Sequence, residues 1–596
     1  MCGIFGYMGE HPNAAELVLA GLKRLEYRGY DSWGIAVSDA GHAAVDKRIG
    51  KIGDATTVLP LSHMALGHTR WATHGQVTDD NAHPQLDCGA RLAVVHNGIV
   101  ANEAQLRHGL SRAGHRIRSQ TDTELIAHLI EDLLEQAPEG PERLLHATIA
   151  AFRKLRGLNA ITVLDMRRGE MVAAKSGSPL CVGIAESGYL LASDHAALLD
   201  HTRRVGFVRD GQAVLLKRTG ARFFDMASGQ EVTPELTTVE WQPAAVDRGP
   251  HPDFMTKEMR EQPGVLRDLS DKALPFVNEL AARIDHAQDV YLIGSGSSGH
   301  AAHAAHYMFA SIAGRRVHYA NASEFSHLYP FLGGRALVVA LSQSGETVDV
   351  LDAVRAAHER GAGVVALTNV EGSTLWRNAD FNVPLSAGPE RCVLATKSFS
   401  AQLALLMMTA HALGRDLDAA RSSLCRAADD IERLLIGPAR NELQSIAEAV
   451  HTREHLFVLG RGACHPLALE TALKIKEVSY LHAEGFAGGE LKHGVMALIE
   501  PGTPCIVLAL PDALPDDTQS DSVANAMQVK ARGASLIGIA PEPLPAFDHT
   551  IRVQDVGPAT LITASVPAQL LGYELARLRG HDPDMPRNLA KSVTVK

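Results

Sequence analysis

The second half of this chain is written twice. Val290-Tyr291-Leu292-Ile293-Gly294-Ser295-Gly296 is echoed by Leu456-Phe457-Val458-Leu459-Gly460-Arg461-Gly462. A second apolar run follows each at similar spacing, Ala336 to Leu341 and Cys505 to Leu510. Then Arg360-Gly361-Ala362-Gly363-Val364-Val365-Ala366-Leu367 is echoed by Arg532-Gly533-Ala534-Ser535-Leu536-Ile537-Gly538-Ile539. Short runs without polar interruption suit strands buried on both faces, and helical periods between them suit crossover helices. A repeated unit of this kind restricts the region to two parallel, doubly wound α/β subdomains, expected at 280–420 and 446–586.

The two copies carry different loops. In the first, Gly294-Ser295-Gly296-Ser297-Ser298-Gly299 fits GxGxxG after a strand, so a dinucleotide site has to be weighed. The next strand ends at Ala320-Asn321 without an acid there; Glu324 comes slightly later. The following strand ends in Ser342-Gln343-Ser344-Gly345-Glu346-Thr347. Two hydroxyl-rich loops at neighbouring strand ends suit one phosphate monoester better than a pyrophosphate. In the second copy Leu510-Pro511-Asp512-Ala513 stands where the Ser-rich loop would be. Polar chemistry appears instead at Leu473-Lys474-Ile475-Lys476-Glu477, where Lys474 and Glu477 share a helical face, and in the Gly-rich stretch Glu484 to Gly494 with His493. From the residues alone, a salt-bridged surface helix and a loop histidine remain open.

The chain begins Met1-Cys2-Gly3-Ile4-Phe5-Gly6-Tyr7. Removal of Met1 exposes a cysteine whose own α-amine titrates near neutrality and can serve as its base; an ordinary first-strand cysteine is the other reading. An amphipathic period from Ala14 to Leu25 predicts a helix stopped at Gly29. Arg70 offers a fork for a carboxylate, Asp122 a counter-charge for an ammonium, and Asn97 with the Gly98 N–H an oxyanion hole. Together with Cys2 they form a complete set for hydrolysing glutamine. Singly, they read as a surface ion pair, a helix cap and a hairpin turn. Ser119 to Glu124 is a helix-start signal.

Composition bounds the partners. The 596 residues are 46% hydrophobic, with 57 Lys and Arg against 68 Asp and Glu, a net charge of −11. No basic block exists, which argues against nucleic-acid and anionic-membrane binding. Seven cysteines without a CxxC pair suit a reducing compartment and pattern neither a disulfide framework nor a zinc site. No cofactor or metal is expected. The N-terminus lacks a signal-peptide pattern and no apolar run reaches membrane-spanning length, so the expected location is cytoplasmic.

Six N-terminal motifs occur in a telling order: Cys2-Gly3-Ile4, Tyr27-Arg28-Gly29-Tyr30-Asp31-Ser32, His68-Thr69-Arg70-Trp71-Ala72-Thr73-His74-Gly75, Asn81-Ala82-His83-Pro84, His96-Asn97-Gly98 and Thr121-Asp122-Thr123-Glu124. They resemble the class II glutamine amidotransferase domain, in particular that of the glucosamine-6-phosphate synthase family. The resemblance implies an α/β fold: an N-terminal nucleophile α/β/β/α sandwich over 2–218, followed by two sugar isomerase (SIS) subdomains. It assigns catalysis of glutamine hydrolysis to Cys2, Asn97 and Gly98, glutamine binding to Arg70 and Asp122, gating of an ammonia path to Trp71, and a place near the site to His83. The Ser-x-Ser-Gly-Glu-Thr loop resembles the SIS domain and assigns the sugar phosphate to Ser298, Ser342, Gln343, Ser344 and Thr347, with Ser297 in the same loop and Lys474 near the substrate.

The tail Pro586 to Val595 matches the same family's terminus. It implies that Lys591 forms an imine with a ketose, while Glu477 moves the proton and His493 opens the ring. The implied substrates are L-glutamine and fructose 6-phosphate, and the implied assembly is a homodimer through the SIS domains. Trp33 stands where a small residue is usual, Ser295 where a cysteine is often found, Ser297 where a threonine is, and 388–397 departs from the usual substrate loop, which leaves another ketose phosphate as the alternative acceptor. Between the halves, 219–279 reads as a linker: Trp241-Gln242-Pro243, Gly249-Pro250-His251-Pro252, then a short charged helix ending before Pro263.

Overall fold

The structure, a computed structural model, describes residues 2–239, 247–511 and 518–594. Trp241-Gln242-Pro243, Asp512-Ala513 and Val595 lie outside the described residues. The chain divides into two compact units, Met1–Asp247 with Ala590–Lys596, and Arg248–Leu589.

The first unit is built on two antiparallel sheets of eight and seven strands. Strand Gly3–Gly9 sits inside the eight-stranded sheet and pairs with Met64–Arg70, Gly3 opposite Thr69. Strand Leu92–Gly98 pairs with Asn159–Asp165 in the other. Alternation along each strand sends one set of side chains between the sheets, where Ile4, Met8 and Leu66 meet Ala93, Val95 and Leu164. The opposite face of the first sheet packs on helix Ala14–Leu25 through Phe5, Val18 and Leu22. That of the second packs on helices Asp122–Gln136 and Arg143–Phe152 through Val94, Ile126, Ile130 and Leu145. The layers are therefore α/β/β/α. Trp33 lies in the core between the first sheet and helix Ala14–Leu25, 1% exposed, with the Arg48 guanidinium 5.1 Å above its ring.

The expected boundary at 218 falls inside this unit. Gly220–Asp225 pairs with Gln212–Lys217, and Leu236–Thr238 pairs with Arg204–Phe207. These short, mixed strands lack a clean alternation and read as linker in sequence.

The second unit holds the repeat as two five-stranded parallel sheets of one topology. In chain order the strands of the first are Asp289–Gly294, His318–Asn321, Ala336–Ser342, Gly363–Thr368 and Phe381–Pro384; those of the second are His455–Gly460, His482–Ala487, Pro504–Leu508, Ser535–Ala540 and His549–Arg552. Both sheets are ordered 2-1-3-4-5. The order reverses between the first and third strands, where ligands of such sheets bind beyond the carboxyl ends. Helix Ser297–Ala313 follows the first strand of copy one and helix Cys464–Ser479 that of copy two.

The expected short helix before Pro263 is instead a helix over Phe254–Lys272 with Pro263 inside it. Proline removes the N–H that the Met259 carbonyl needs. Buried Gln262 fills that place, its Nε2 donating to Met259 O at 3.2 Å and to Gln569 Oε1 at 2.8 Å. Met255, Met259 and Leu266 of this helix belong to the core shared by the two repeats. The helix is thus part of the second unit's interior.

Candidate active sites

In the first unit, the register of Gly3 against Thr69 sets Cys2 beside Arg70 and Trp71. The Trp71 N–H donates to Cys2 Sγ at 3.2 Å, and the thiol faces Trp71 O at 3.4 Å. Gly29 makes the approach possible: a Cβ there would lie 2.7 Å from Arg70 C and Trp71 N. The same turn fixes the next residues, since Asp31 N–H donates to Arg70 O at 3.0 Å and Asp31 Oδ2 accepts from Ala72 N–H at 2.8 Å. Burial pushes the Cys2 thiol up, against the pull of the positive chain terminus, the Trp71 N–H, Arg70 and Arg28.

Asn97 and Gly98 end their strand facing this thiol residue. Asn97 Nδ2 donates to the Cys2 carbonyl at 3.0 Å, and Arg28 Nε donates to the same oxygen at 3.3 Å. Gly98 has φ +148°, and a Cβ on it would sit 2.4 Å from Leu158 O. Asp122 opens the Asp122–Gln136 helix and accepts the Val100 N–H at 2.9 Å. Burial works against its ionised form, yet the nearby His96 ring and the Val100 N–H hold its carboxyl at about 2. Arg70 spends N–H groups on the carbonyls of His74, Gly75 and Gln76 and so closes the 71–76 loop. Cys2, Arg70, Trp71, His83, Gly98 and Asp122 line one small cleft.

In the second unit, Ser297 and Ser298 start their helix after Gly296, at φ +56°. Gln402 Nε2 donates to Ser298 Oγ at 2.9 Å. The strand Ala336–Ser342, paired in parallel with Asp289–Gly294, delivers the second loop alongside. There Ser342 Oγ accepts the Gly345 N–H at 3.0 Å and lies 3.1 Å from Thr347 Oγ1. Ser344 Oγ accepts the Glu346 N–H at 3.2 Å. Gln343 and Ser344 stay half-exposed at the loop's tip.

Helix Cys464–Ser479 of the second repeat meets helix Ser297–Ala313 through charge. Lys474 Nζ lies 2.7 Å from Glu477 Oε2 and 3.5 Å from Glu470 Oε1. Glu470 Oε2 in turn lies 2.7 Å from His300 Nδ1, on the helix that begins with Ser297 and Ser298. Lys474 is 1% exposed, and despite burial its two carboxylates raise its pKa, keeping it charged. His493 lies exposed at the end of the 3₁₀ turn Gly488–His493. Lys591 is half-buried in the tail that groups with the first unit, where Ser178 Oγ donates to Thr594 Oγ1 at 3.5 Å.

Residues 68–200 match the glutamine amidotransferase domain, and residues 283–412 and 450–579 each match the SIS domain. Over 626 aligned residues, covering 100% of both chains, the protein is 40% identical to a glutamine–fructose-6-phosphate aminotransferase (isomerizing) of Symbiobacterium thermophilum. A protein of the same name from Thermus thermophilus is 40% identical over 617 residues, again 100% of both chains. The chain belongs to the glutamine–fructose-6-phosphate aminotransferase (isomerizing) family. Among solved structures, the C-terminal domain of glucosamine-fructose-6-phosphate aminotransferase from Francisella tularensis matches with TM-score 0.51 and 27% identity, covering 57% of this chain and 100% of that one.

For an aminotransferase of this family the geometry adds residues that sequence reading passed over. His68 Nε2 sits 3.1 Å from both Asn97 Oδ1 and His96 O, and burial lowers its pKa to about 3, so it stays neutral. Glu470 could be found as the i−4 partner of Lys474, whereas His300, just past the Gly294–Gly299 motif, and Gln402 carry no signal of their own. The departing segment 388–397 is held from within and from helix Phe254–Lys272: Glu390 accepts the N–H groups of Thr396 and Ser398, and Glu258 those of Arg391 and Cys392.

Proposed function

We propose that the chain hydrolyses L-glutamine at Cys2 and uses the ammonia to convert fructose 6-phosphate into glucosamine 6-phosphate. The observation that carries this reading is the pairing, in one chain, of a Cys2 cleft furnished for amide hydrolysis with two hydroxyl-rich strand-end loops beside a Lys474–Glu477 pair. The name shared by relatives aligned over the whole chain favours fructose 6-phosphate over another ketose phosphate.

Cys2 Sγ attacks the side-chain carbonyl carbon of glutamine, with its α-amine as base once Met1 is removed. The oxyanion falls to Asn97 Nδ2 and the Gly98 N–H. Ammonia leaves, and water then cleaves the γ-glutamyl thioester to glutamate and free thiol. Arg70 takes the α-carboxylate and Asp122 the α-ammonium, with Trp71 and His83 walling the site. Ser297, Ser298, Ser342, Gln343, Ser344 and Thr347 take the sugar phosphate, and Lys474 lies near it. His493 opens the sugar ring. Lys591 Nζ condenses with C2 of the open ketose and loses water; ammonia then displaces the lysine. Glu477 removes a proton from C1 and returns one to C2, which leaves the C1 aldehyde and a C2 amine. Ammonia has to be kept from water and protonation, so joining both activities in one chain is chemically sensible. The assembly is a homodimer through the SIS domains.

The test is product formation from glutamine plus fructose 6-phosphate in wild type and Lys591→Ala. Glucosamine 6-phosphate from wild type, lost in the variant while glutamate release persists, is expected. Glutamate release without amino sugar in wild type would sink the named acceptor. Among the described residues no helix is long and apolar enough to cross a membrane.

A further inference from the structure

Four side chains of the first unit converge where no motif announces them: Cys88, His115, His128 and Glu131, whose ligating atoms all lie within 4.8 Å of one another. Cys88 sits in the turn between strands Gln85–Leu86 and Leu92–Gly98. His115 follows the Gly114 cap of helix Glu103–Ala113, and His128 and Glu131 share a face of Asp122–Gln136.

The separations have a pattern. Cys88 Sγ is 3.4 Å from His115 Nδ1 and 3.6 Å from His128 Nδ1. Both Nδ1 atoms are 3.2 Å from Glu131 Oε2. Zinc takes sulfur at about 2.3 Å and nitrogen or oxygen at about 2.0–2.2 Å, so a tetrahedron has S···N edges of about 3.6 Å and N···O edges of about 3.3 Å. These four edges fall within a few tenths of an ångström of those values.

The outer contacts point the same way. His115 Nε2 lies 2.8 Å from Asp132 Oδ1, and His128 Nε2 lies 3.6 Å from Glu124 Oε1. A His115 ring that gives its Nε2 proton to Asp132 turns a bare Nδ1 inward, the arrangement that orients metal-bound histidines; the His128 contact with Glu124 is longer than a hydrogen bond. Both Nδ1 atoms, the Cys88 sulfur and Glu131 Oε2, which also accepts the Cys88 N–H at 3.2 Å, surround one point that a cation can occupy. The His115 side chain is 8% exposed and that of His128 1%, while Glu131, at 24%, and exposed Cys88 leave an approach from solvent.

We propose that Cys88, His115, His128 and Glu131 form a structural zinc(II) site. Binding releases the Cys88 thiol proton to water, and thiolate plus carboxylate neutralise the ion. All four positions are filled by protein, so the ion serves as a staple with no open coordination place. It ties the hairpin that ends in Asn97 and Gly98 to the helix that begins at Asp122. A cysteine on one turn, a histidine past one helix and an i,i+3 pair on another leave no CxxC-type signature.

The full chain, produced without a polyhistidine tag and dialysed against buffered zinc, tests this by elemental analysis. Wild type is expected to retain about one zinc per chain, and Cys88→Ser and His115→Gln roughly a tenth of that or less. Asp132→Asn, which leaves all four ligands in place, is expected to weaken zinc affinity about 10- to 100-fold. Cobalt(II) in place of zinc gives wild type a thiolate-to-cobalt charge-transfer absorption that Cys88→Ser lacks. Chelation lowers the melting temperature of wild type and leaves that of Cys88→Ser unmoved. Glutamate release reports whether each variant has folded; Asp132→Asn serves if the ligand variants do not. Equal zinc content in wild type and variants, or a wild type that retains no zinc and shows no cobalt–thiolate band, overturns the proposal and leaves an ion-paired histidine cluster.

Discussion

His68 Nε2 lies 3.1 Å from Asn97 Oδ1, while the other end of the same amide, Asn97 Nδ2, donates to the Cys2 carbonyl at 3.0 Å. His68 is wholly buried and neutral, so its Nε2–H can donate to Oδ1 and hold the amide with its N–H₂ toward Cys2. In the proposed mechanism the histidine positions the amide that would meet the oxyanion.

Asn97→Ala is therefore expected to lower kcat for glutamine hydrolysis about 10²–10³-fold, the usual loss for an oxyanion-hole donor. His68→Leu is expected to lower kcat by less, with KM little changed. His68→Gln, which can still donate to Oδ1, is expected to recover part of the loss. A His68→Leu effect confined to KM would show that the ring has no hold on the amide.

Gly98→Ala is expected to be worse than its single methyl suggests. The residue has φ +148°, and the added carbon would meet Leu158 O at 2.4 Å, backbone that has no flexible end to yield. Loss of glutamate release with a lowered melting temperature is expected. A soluble, fully active Gly98→Ala protein would show that the strand end relaxes freely.

Much of the second unit was legible because parallel strands buried on both faces are unbroken apolar runs, and two copies of them confirm one another. The Ser-rich loops were legible because they fall directly after such runs. The strands between 220 and 238 were not, being short and half-polar. Pro263 misled because its missing N–H is answered by a side chain, Gln262, which is itself held by Gln569, far off in sequence. Cys2, Arg70, Asn97 and Asp122 were named from their chemistry, but Arg70's hold on the 74–76 carbonyls and the partnership of His68 with Asn97 arise only when strands pair.

Asp122 makes acid sensitivity readable. Its carboxyl is held at about 2 in the fold, below the ordinary 3.8. A depressed carboxyl contributes stability in full above the unfolded value, and that contribution is lost as pH falls through the folded one. The stability gap between wild type and Asp122→Asn, about 2 kcal/mol from the shift itself, is expected to be flat from neutrality to about pH 5. It is expected to close between about pH 4 and pH 2. Denaturant unfolding at a series of pH values measures this. A gap that closes above pH 5 would mean the carboxyl is not held ionised. At neutral pH the same variant is expected to raise KM for glutamine, since the α-ammonium loses its counter-charge.

Lys474, fully buried between Glu470 and Glu477, separates stability from chemistry in the second unit. Lys474→Met leaves Glu470, 2% exposed, without its buried cation, and breaking such a pair typically costs about 3–5 kcal/mol. Removing both charges in Lys474→Met with Glu470→Gln is expected to restore much of that loss. Glu477 is less buried, 18% exposed, and its substitution by Gln keeps the shape of the pair. Glu477→Gln still leaves Lys474 its Glu470 partner, so it is expected to melt below wild type but to fold and release glutamate normally. Its amino-sugar formation should fall by about 10²-fold or more, as expected for loss of a proton-transferring base. Denaturant midpoints with parallel assays of glutamate and glucosamine 6-phosphate distinguish these cases. A Glu477→Gln protein that still makes amino sugar at the wild-type rate would move the proton transfer to another residue.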